Sequence, residues 1–374
     1  MDKTIDCVIN NSKGLYANKI MEKEMRKIKV LHMLCSNCYS GAENVICQII
    51  NMFKNDDRYE FIYASPNGPI KEALEARGIE FEPMVAASLG EFKRIIKDVK
   101  PDIIHAHDMR AGFLAAIACE KIPLISHIHN NNFDSQKPTA KAFLYRYAAI
   151  KAKHIFWVSQ SSFEGYYFHK GLENKSTVLY NVIDSKQLKE KAKQATIKSQ
   201  YDIVYIGRMT YQKNPQRLLE VLSLVIKERP ETRCALIGTG DLEDTVKKII
   251  LEKQLNKNVD FLGFQSNPYG ILENAKMMIM TSRWEGTPMC ALEAMTLGIP
   301  IVSTPTDGLR ELVKQGDTGF LEENDIILKE RCIQIISDDS IRKSLAMATV
   351  ARSNEMMDLN EYRSQLSEVY NKFS

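Results

Sequence analysis

Apolar residues fall along this chain in short runs, separated by stretches in which they recur every three or four positions. Ile28–Leu34, Tyr59–Ser65, Pro101–His107, Ile122–Ile128 and Phe156–Ser159 are such runs in the first half; Asp202–Ile206, Arg233–Ile237, Val259–Phe264, Met277–Met280 and Ile301–Ser303 are such runs in the second. A run of four to eight apolar residues bounded by turn residues predicts a strand buried on both faces. Between the runs, Lys71–Arg77, Glu91–Val99, Ser162–His169 and the stretch up to Lys227 read as helices. Buried strands alternating with helices predict the α/β class, with parallel sheets covered on both faces. In such sheets ligands bind outside the carboxyl ends of the strands. The loops that follow the apolar runs are therefore the places to look for chemistry.

The richest of these loops follows Met277–Met280 and reads Thr-Ser-Arg-Trp-Glu-Gly-Thr-Pro. Thr287 is expected to cap a helix that begins at Pro288. Gly298 is expected to end that helix in a left-handed cap before Pro300 opens the next strand. This leaves Glu285 in the loop, able to reach a ligand, and Glu293 inside the helix. After Asp202–Ile206 comes Gly207-Arg208-Met209-Thr210-Tyr211-Gln212-Lys213-Asn214-Pro215. Arg208 can fork two oxygens of an anion and Lys213 can act as a point charge. Gly238-Thr239-Gly240 is half of a dinucleotide fingerprint, with Glu243 where its third glycine would stand, so a dinucleotide site is weakly supported. Ser40-Gly41-Ala42-Glu43 opens a helix running to about Phe53, and its small residues permit close backbone approach to a phosphate or sugar.

Taken together, these loops resemble retaining GT-B glycosyltransferases of the glycosyltransferase family 4 type. Glu285, seven residues and Glu293 resemble that family's E-x7-E signature, with Gly-Thr-Pro and Glu-Ala-Met-x-x-Gly-x-Pro around it. Gly207–Lys213 resembles its G-R-x(4)-K loop. Ser40-Gly41 stands where the family usually has two glycines, and Asn181-Val182-Ile183-Asp184 stands for N-G-V-D, with Val182 in place of Gly. Asp307–Glu311 and Gly316–Leu321 resemble the segments that follow the signature helix. The resemblance implies two Rossmann-like domains facing across a cleft: an acceptor domain over residues 26–190 and a nucleotide-sugar domain over residues 200–355. A tail over residues 1–25 would precede them, and residues 356–374 would form a helix returning to the first domain. It implies sugar transfer with retention, no metal ion and no cofactor, the nucleotide sugar (a UDP-hexose) being a co-substrate. Arg208 and Lys213 would neutralise the leaving diphosphate, Glu285 would bind donor-sugar hydroxyls, and Glu293 would accept from the ribose. The backbone at Gly41, Gly238, Gly286, Thr287 and Pro288 would lie along the donor, Phe264 would neighbour the base, and His127 would line the reaction centre. His129 is an alternative to His127, since Ser-His-Ile-His-Asn is ambiguous by one pleat. The acceptor would be a saccharide or a polyprenyl-linked saccharide of a bacterial surface polysaccharide such as a capsule. A sugar-nucleotide epimerase of the same architecture and a non-catalytic glycosyltransferase partner are the competing readings.

Composition adds limits. The chain has 374 residues, enough for two domains, and its net charge of +3 is too small to imply a nucleic-acid partner. No apolar run reaches the ~18 residues of a spanning helix, and residues 1–26 are polar, so a cytoplasmic location is expected. Gln136–His154 carries Lys137, Lys141, Arg146, Lys151 and Lys153 with interleaved aromatics and no acid. Such a segment suits either an anionic membrane surface or an ordinary solvated helix face. The pairs His105/His107 and His127/His129 invite a metal reading, but only Asp108 stands near as a carboxylate. Cys35 and Cys38 form the one C-x-x-C, without the second pair of a zinc ribbon.

Overall fold

The computed structural model describes residues 26–130 and 133–374. The proposed tail over residues 1–25, Cys7 and two residues of the loop at 130–137 lie outside the described residues. Thirteen strands are described. The first seven are β1 (Ile28–Met33), β2 (Tyr59–Pro66), β3 (Phe81–Met84), β4 (Ile103–His107), β5 (Leu124–Ile128), β6 (His154–Trp157) and β7 (Ser176–Val178). They form one sheet in the order β3-β2-β1-β4-β5-β6-β7. The other six are β8 (Tyr201–Ile206), β9 (Cys234–Ile237), β10 (Val259–Gly263), β11 (Ala275–Met280), β12 (Ile301–Ser303) and β13 (Gly319–Leu321). They form a second sheet in the order β10-β9-β8-β11-β12-β13. Pairing is parallel, as in β8 with β9 and β11. Two parallel sheets of alternating strands and helices make this the α/β class, with two Rossmann-like sheets as the loop motifs imply.

By packing, the chain divides into two compact units. Among the described residues, one holds residues 26–126 with Tyr147–His154 and Leu366–Ser374; the other holds His127–Arg146 and Ile155–Gln365. In the first unit, Tyr370 of the last helix (Leu359–Phe373) meets the His105 ring nitrogen through its hydroxyl at 2.8 Å, and Tyr59 donates to Asn371 at 2.7 Å. In the second unit, helix Pro215–Glu228 shows why the pattern works. Leu218, Leu219, Val221, Leu222 and Val225 recur at helical spacing, and all are buried against β8, β9 and β11. Each such side chain stabilises by about 1.5–3 kcal/mol.

Several elements differ from expectation for identifiable reasons. Strand β3, Phe-Glu-Pro-Met, escapes notice because Glu82 and Pro83 interrupt its apolar run, which an edge position tolerates. Helix Met109–Ala118 is apolar almost all round and shows no amphipathic period. The helix expected over Ser162–His169 is only Gln160–Glu164, ending at Gly165, and the basic segment is helical only over Ala140–Lys151. β6 starts two residues before Phe156 and ends at Trp157.

Candidate active site

In the second sheet, the strand order reverses between β8 and β11, which are neighbours although β9 follows β8 in sequence. A crevice outside the carboxyl ends opens at such a switch point. The two loops leaving it are the Gly207–Asn214 loop and the Thr281–Pro288 loop. They bring Lys213 and Glu285 together: Lys213 Nζ stands 2.6 Å from Glu285 Oε1. Their side chains are 13% and 4% exposed, so this is a nearly buried ion pair.

Local sequence explains how each loop holds its residue. Asn214 adopts a left-handed conformation (φ 52°), which Asn tolerates, and Pro215 then starts the helix. Thr281 Oγ1 donates to the Asn214 carbonyl at 3.1 Å, tying the β11 end to the residue after Lys213. Gln212 donates to the Trp284 carbonyl at 3.0 Å, and the Arg283 amide donates to the Gln212 carbonyl at 2.8 Å. Arg208 is exposed at the mouth of the same loop. Burial favours the neutral Lys213 amine, but Glu285 outweighs it and holds the ammonium above its ordinary pKa, with Arg208 near enough to work against that.

Gly238 and Gly240 have a packing role visible only in three dimensions. A Cβ on Gly238, itself at φ +131°, would lie 2.1 Å from the Gly207 carbonyl oxygen, and one on Gly240 would lie 2.4 Å from that of Met209. The two glycines let the turn after β9 press on the Arg208 loop, which is their function here in place of a dinucleotide fingerprint.

The signature helix begins later than expected. Pro288 is the capping residue and Met289 the first helical one, over Met289–Thr296. Thr287 does not cap it, because its hydroxyl donates to the Val158 carbonyl instead. Gly298 does take the left-handed conformation beyond the helix end (φ 74°). Glu293 lies about one turn into this helix and is buried. Tyr269 donates to its Oε1 at 2.9 Å. Burial raises the Glu293 carboxyl to about 7, against the Tyr269 hydrogen bond and the more distant Lys191 charge. Cys290 lies between the two glutamates, its thiol pushed up to about 12 by burial first, with Lys213 opposing. Phe264 follows β10 and is 60% exposed, presenting a free ring face.

The first-sheet candidates are placed differently. Gly41 is the first residue of helix Gly41–Met52, behind Ser40, whose N–H and hydroxyl both donate to Glu43 at 3.0 and 2.6 Å. His127 is buried at the end of β5, its ring stacked on His129 at 4.2 Å. Burial drives His129 down to about 3, keeping its imidazole neutral. In the other compact unit, His32, His105 and His107 are fully buried and have ring nitrogens within 4.8 Å of one another. Their rings stack at 24–33° and 4.3–5.1 Å. Imidazole lone pairs lie in the ring plane, so near-parallel rings do not aim three of them at one ion. The nitrogens instead make hydrogen bonds: His32 Nδ1 to His107 Nε2 at 2.8 Å, and His105 Nδ1 to Tyr370. The seven described cysteines are free thiols, and burial pushes Cys35 up to about 12, which makes it a poor nucleophile.

Sequence reasoning missed Tyr269 and attached no role to Asn181 or Glu311. Tyr269 lies 24 residues before its partner, with no local pattern to single it out. Asn181 and Glu311 stand in recognisable segments whose side-chain partners are far away in sequence.

Two family models match the chain, one described as Glycosyl transferases group 1 over residues 186–352 and one as Glycosyltransferase Family 4 over residues 39–187. Together they run through both sheets. An Escherichia coli UDP-Gal:alpha-D-GlcNAc-diphosphoundecaprenol alpha-1,3-galactosyltransferase is 24% identical over 86% of this chain and 91% of its own length. An uncharacterized glycosyltransferase of Methanocaldococcus jannaschii is 28% identical over 59% of this chain, which spans 60% of that protein. The crystal structure of Anabaena HepE in complex with UDP-glucose superimposes with a TM-score of 0.77, covering 92% of this chain and 99% of HepE at 22% identity. At that identity the likeness establishes the fold.

Proposed function

The chain belongs to the glycosyltransferases of the group 1 and family 4 type, and we propose that it moves a hexose from UDP to a saccharide or polyprenyl-linked saccharide with retention of anomeric configuration. The observation that carries this reading is the nearly buried Lys213–Glu285 pair at the β8/β11 switch point, with Glu293 one turn into the helix behind it. A buried ion pair whose partners have other work to do is a site already balanced for a charged guest. When a donor enters, its diphosphate replaces Glu285 as the anion facing Lys213, and the Glu285 carboxylate turns to the donor-sugar hydroxyls. Lys213 then faces the diphosphate and Glu285 accepts hydrogen bonds from the sugar hydroxyls, so neither residue is left desolvated and unpaired, and Arg208 helps to balance the added negative charge.

Arg208 and Lys213 then stabilise the charge that grows on the diphosphate as the glycosidic bond breaks. The acceptor hydroxyl oxygen bonds to the anomeric carbon on the face the diphosphate leaves, and its proton passes to the departing phosphate oxygen. Glu285 fixes the sugar during this step, and neither glutamate has to form a covalent bond. Glu293 accepts from the ribose hydroxyls, and Phe264 offers a face to the base. His127 lines the reaction centre, and the backbone at Gly41 permits close approach of a phosphate or sugar. The positive charge comes from side chains, so no metal ion is needed.

UDP as the nucleotide and a lipid-linked saccharide as the acceptor follow the name of the E. coli relative, and a surface polysaccharide is the product that such an acceptor would serve. Attachment to the membrane face would bring the protein to such an acceptor. Among the described residues no helix is long and apolar enough to cross a membrane. Helix Ala140–Lys151, however, exposes Phe143, Leu144, Tyr147 and Ile150 beside Arg146 and Lys151 while burying Ala142, Tyr145, Ala148 and Ala149. An apolar stripe flanked by cations suits the headgroup region of an anionic membrane.

Calorimetry with UDP, GDP and ADP is the direct test, followed by UDP release from UDP-glucose and UDP-galactose and NMR of the product anomer. Tight GDP or ADP binding with none of UDP overturns the nucleotide. A product of inverted configuration overturns retention.

A further inference from the structure

The loop that carries Glu285 is fastened from behind by contacts that the proposed chemistry does not use. Thr287 donates its hydroxyl to the Val158 carbonyl, and Asn181 Nδ2 donates to the Thr287 carbonyl at 3.0 Å. Gly286 sits so close to the segment that follows β5 that a Cβ there would fall 2.7 Å from the His129 carbonyl oxygen. On the other side lies helix Asp307–Leu312, whose Gly308 would place a Cβ 1.2 Å from the Gly286 carbonyl oxygen. The backbone around Glu285 is thus held between the His129–Val158 backbone and this short helix, with glycine on both contact surfaces because nothing larger fits.

What keeps the short helix in place is Glu311. Its Oε1 accepts from the Ser161 amide at 2.9 Å, and its Oε2 accepts from the Gln160 amide at 3.1 Å and the Tyr180 hydroxyl at 2.7 Å. Those two amides open helix Gln160–Glu164 and have no partner within it. A carboxylate suits them, since three donors are shared between two oxygens that both accept. Glutamine offers one accepting oxygen and would set its amide hydrogens against a donor.

We propose that Glu311 is a positioning residue for sugar transfer: by holding helix Asp307–Leu312 to the amides of Gln160 and Ser161, it presses Gly308 onto the backbone that aims Glu285. The inference rests on the reading of Glu285 as the donor-sugar contact, and it makes a separate mechanical claim about the loop. Release of Glu311 lets residues 285–287 relax, and the sugar end of the donor loses its alignment. The nucleoside end, held by Glu293 in the next helix, does not. A misplacement of about 1 Å costs up to ~100-fold in rate.

The experiment uses the full chain with Glu311→Ala, Glu311→Gln and Tyr180→Phe, and three readouts. Hydrogen exchange of the amides of residues 285–287 is expected to accelerate in the order Ala, Gln, Phe, while the amides of helix Pro215–Glu228 stay protected. Turnover, measured as UDP release from UDP-glucose or UDP-galactose, is expected to fall about tenfold or more in Glu311→Ala, less in Glu311→Gln and least in Tyr180→Phe. The UDP dissociation constant from calorimetry is expected to stay within about twofold of the parent protein, because the displaced residues are not those that hold the nucleoside. Unchanged exchange and turnover in Glu311→Ala overturn the proposal. So does a parallel loss of UDP affinity, turnover and helix protection, which would make Glu311 a general structural residue. If the parent protein turns over no UDP-sugar, the functional reading fails on its own, and the exchange data still decide whether Glu311 holds the loop.

Discussion

At the carboxyl ends of β8 and β11 stands the ion pair of Lys213 with Glu285, and beside it Tyr269, which follows β10, donates a hydrogen bond to Glu293. At the ends of β1, β4 and β5 stand imidazoles stacked on one another: His32, His105 and His107 in one group, His127 and His129 in another. A nearly buried ion pair at a strand end costs desolvation that an apolar pair would not. It persists where a charged ligand will take over one of the partners. Stacked imidazoles, with His129 held neutral by burial, suit the opposite task of lining a site for an uncharged guest, whose hydroxyls need acceptors and donors. The proposed function puts the diphosphate at the second sheet and a neutral saccharide at the first, and the contrast between the two strand ends is what supports that reading.

Glu285→Gln is the substitution that strains this contrast most. It keeps the size of the side chain and removes the anion, leaving the Lys213 ammonium nearly buried without its counter-charge. Breaking a buried pair from one side costs about 3–5 kcal/mol, so the empty variant melts earlier. UDP supplies the missing anion, and its stabilising effect is therefore larger in the variant than in the parent protein. Turnover falls by ~10²–10³, as expected for loss of one preorganised polar contact, while UDP still binds. If Glu285→Gln abolishes UDP binding and Glu293→Gln leaves it intact, the roles of the two glutamates are reversed.

The next effect concerns the surface beside the first sheet. Replacing Lys141, Arg146 and Lys151 with Ser removes three cations, each worth about 1 kcal/mol near an anionic surface. Binding to phosphatidylserine-containing vesicles is expected to drop by ~100-fold and to lose most of its salt dependence. Vesicle binding equal to that of the parent protein would return the exposed Phe143, Leu144, Tyr147 and Ile150 to the status of an ordinary helix face.

How much of this was legible in the sequence differs between the two sheets for the same physical reason. In the second sheet, Lys213 and Glu285 each belong to a loop whose turn residues, Asn214-Pro215 and Gly286-Thr287-Pro288, are contiguous with them. The pattern sits within ten residues and can be read. The cap at Thr287 was misplaced because its hydroxyl serves a strand end 129 residues away, and Tyr269 was missed because its partner is a helix turn reached only after folding. In the first sheet the strands were plain but the histidines were not, since paired strands juxtapose His32 with His105 across 73 residues of sequence. Motifs report what a loop does with its neighbours. Contacts made by tertiary packing leave no local trace.

Glu293 gives a smaller effect that sharpens the division within the second sheet itself. Its carboxyl titrates at about 7 because burial disfavours the charged form. Between the ordinary carboxylate range and about pH 7, the folded protein holds a proton there that the unfolded chain has lost. Stability of the empty protein therefore declines as pH rises through that window and levels off above it. UDP affinity runs the other way and improves as pH rises through about 7, because the ionised carboxylate accepts more strongly from the ribose hydroxyls. Glu293→Gln removes both slopes and weakens UDP by roughly tenfold, raising KM more than it lowers kcat. Calorimetry at pH 6 and pH 8 on both proteins measures this, and a Gln variant with the parent's pH slope would place the titrating group elsewhere.

The smallest expected effect is that of chelation, and it bears on both halves of the contrast. The second sheet offers Arg208 and Lys213 as the charge that faces the diphosphate, so turnover in EDTA is expected to equal turnover without it. The three histidines at β1 and β4 are a place where several ligand nitrogens crowd within 4.8 Å of one another. A tetrahedral zinc site needs nitrogens at about 2.0–2.1 Å from the ion, with their lone pairs converging on it. Rings stacked at 24–33° and 4.3–5.1 Å apart confine those lone pairs to separate, nearly parallel planes, and the His32–His107 hydrogen bond uses two of the nitrogens. A metal would have to rotate at least one fully buried ring and break that bond. Full loss of turnover in EDTA, restored by Mg²⁺ or Mn²⁺, would shift the compensating charge from Lys213 to an ion and undo the assignment of the second sheet. Restoration by Zn²⁺ alone, lost in His105→Gln, would instead show that the first sheet's imidazoles are ligands and that their stacking is the empty form of a metal centre.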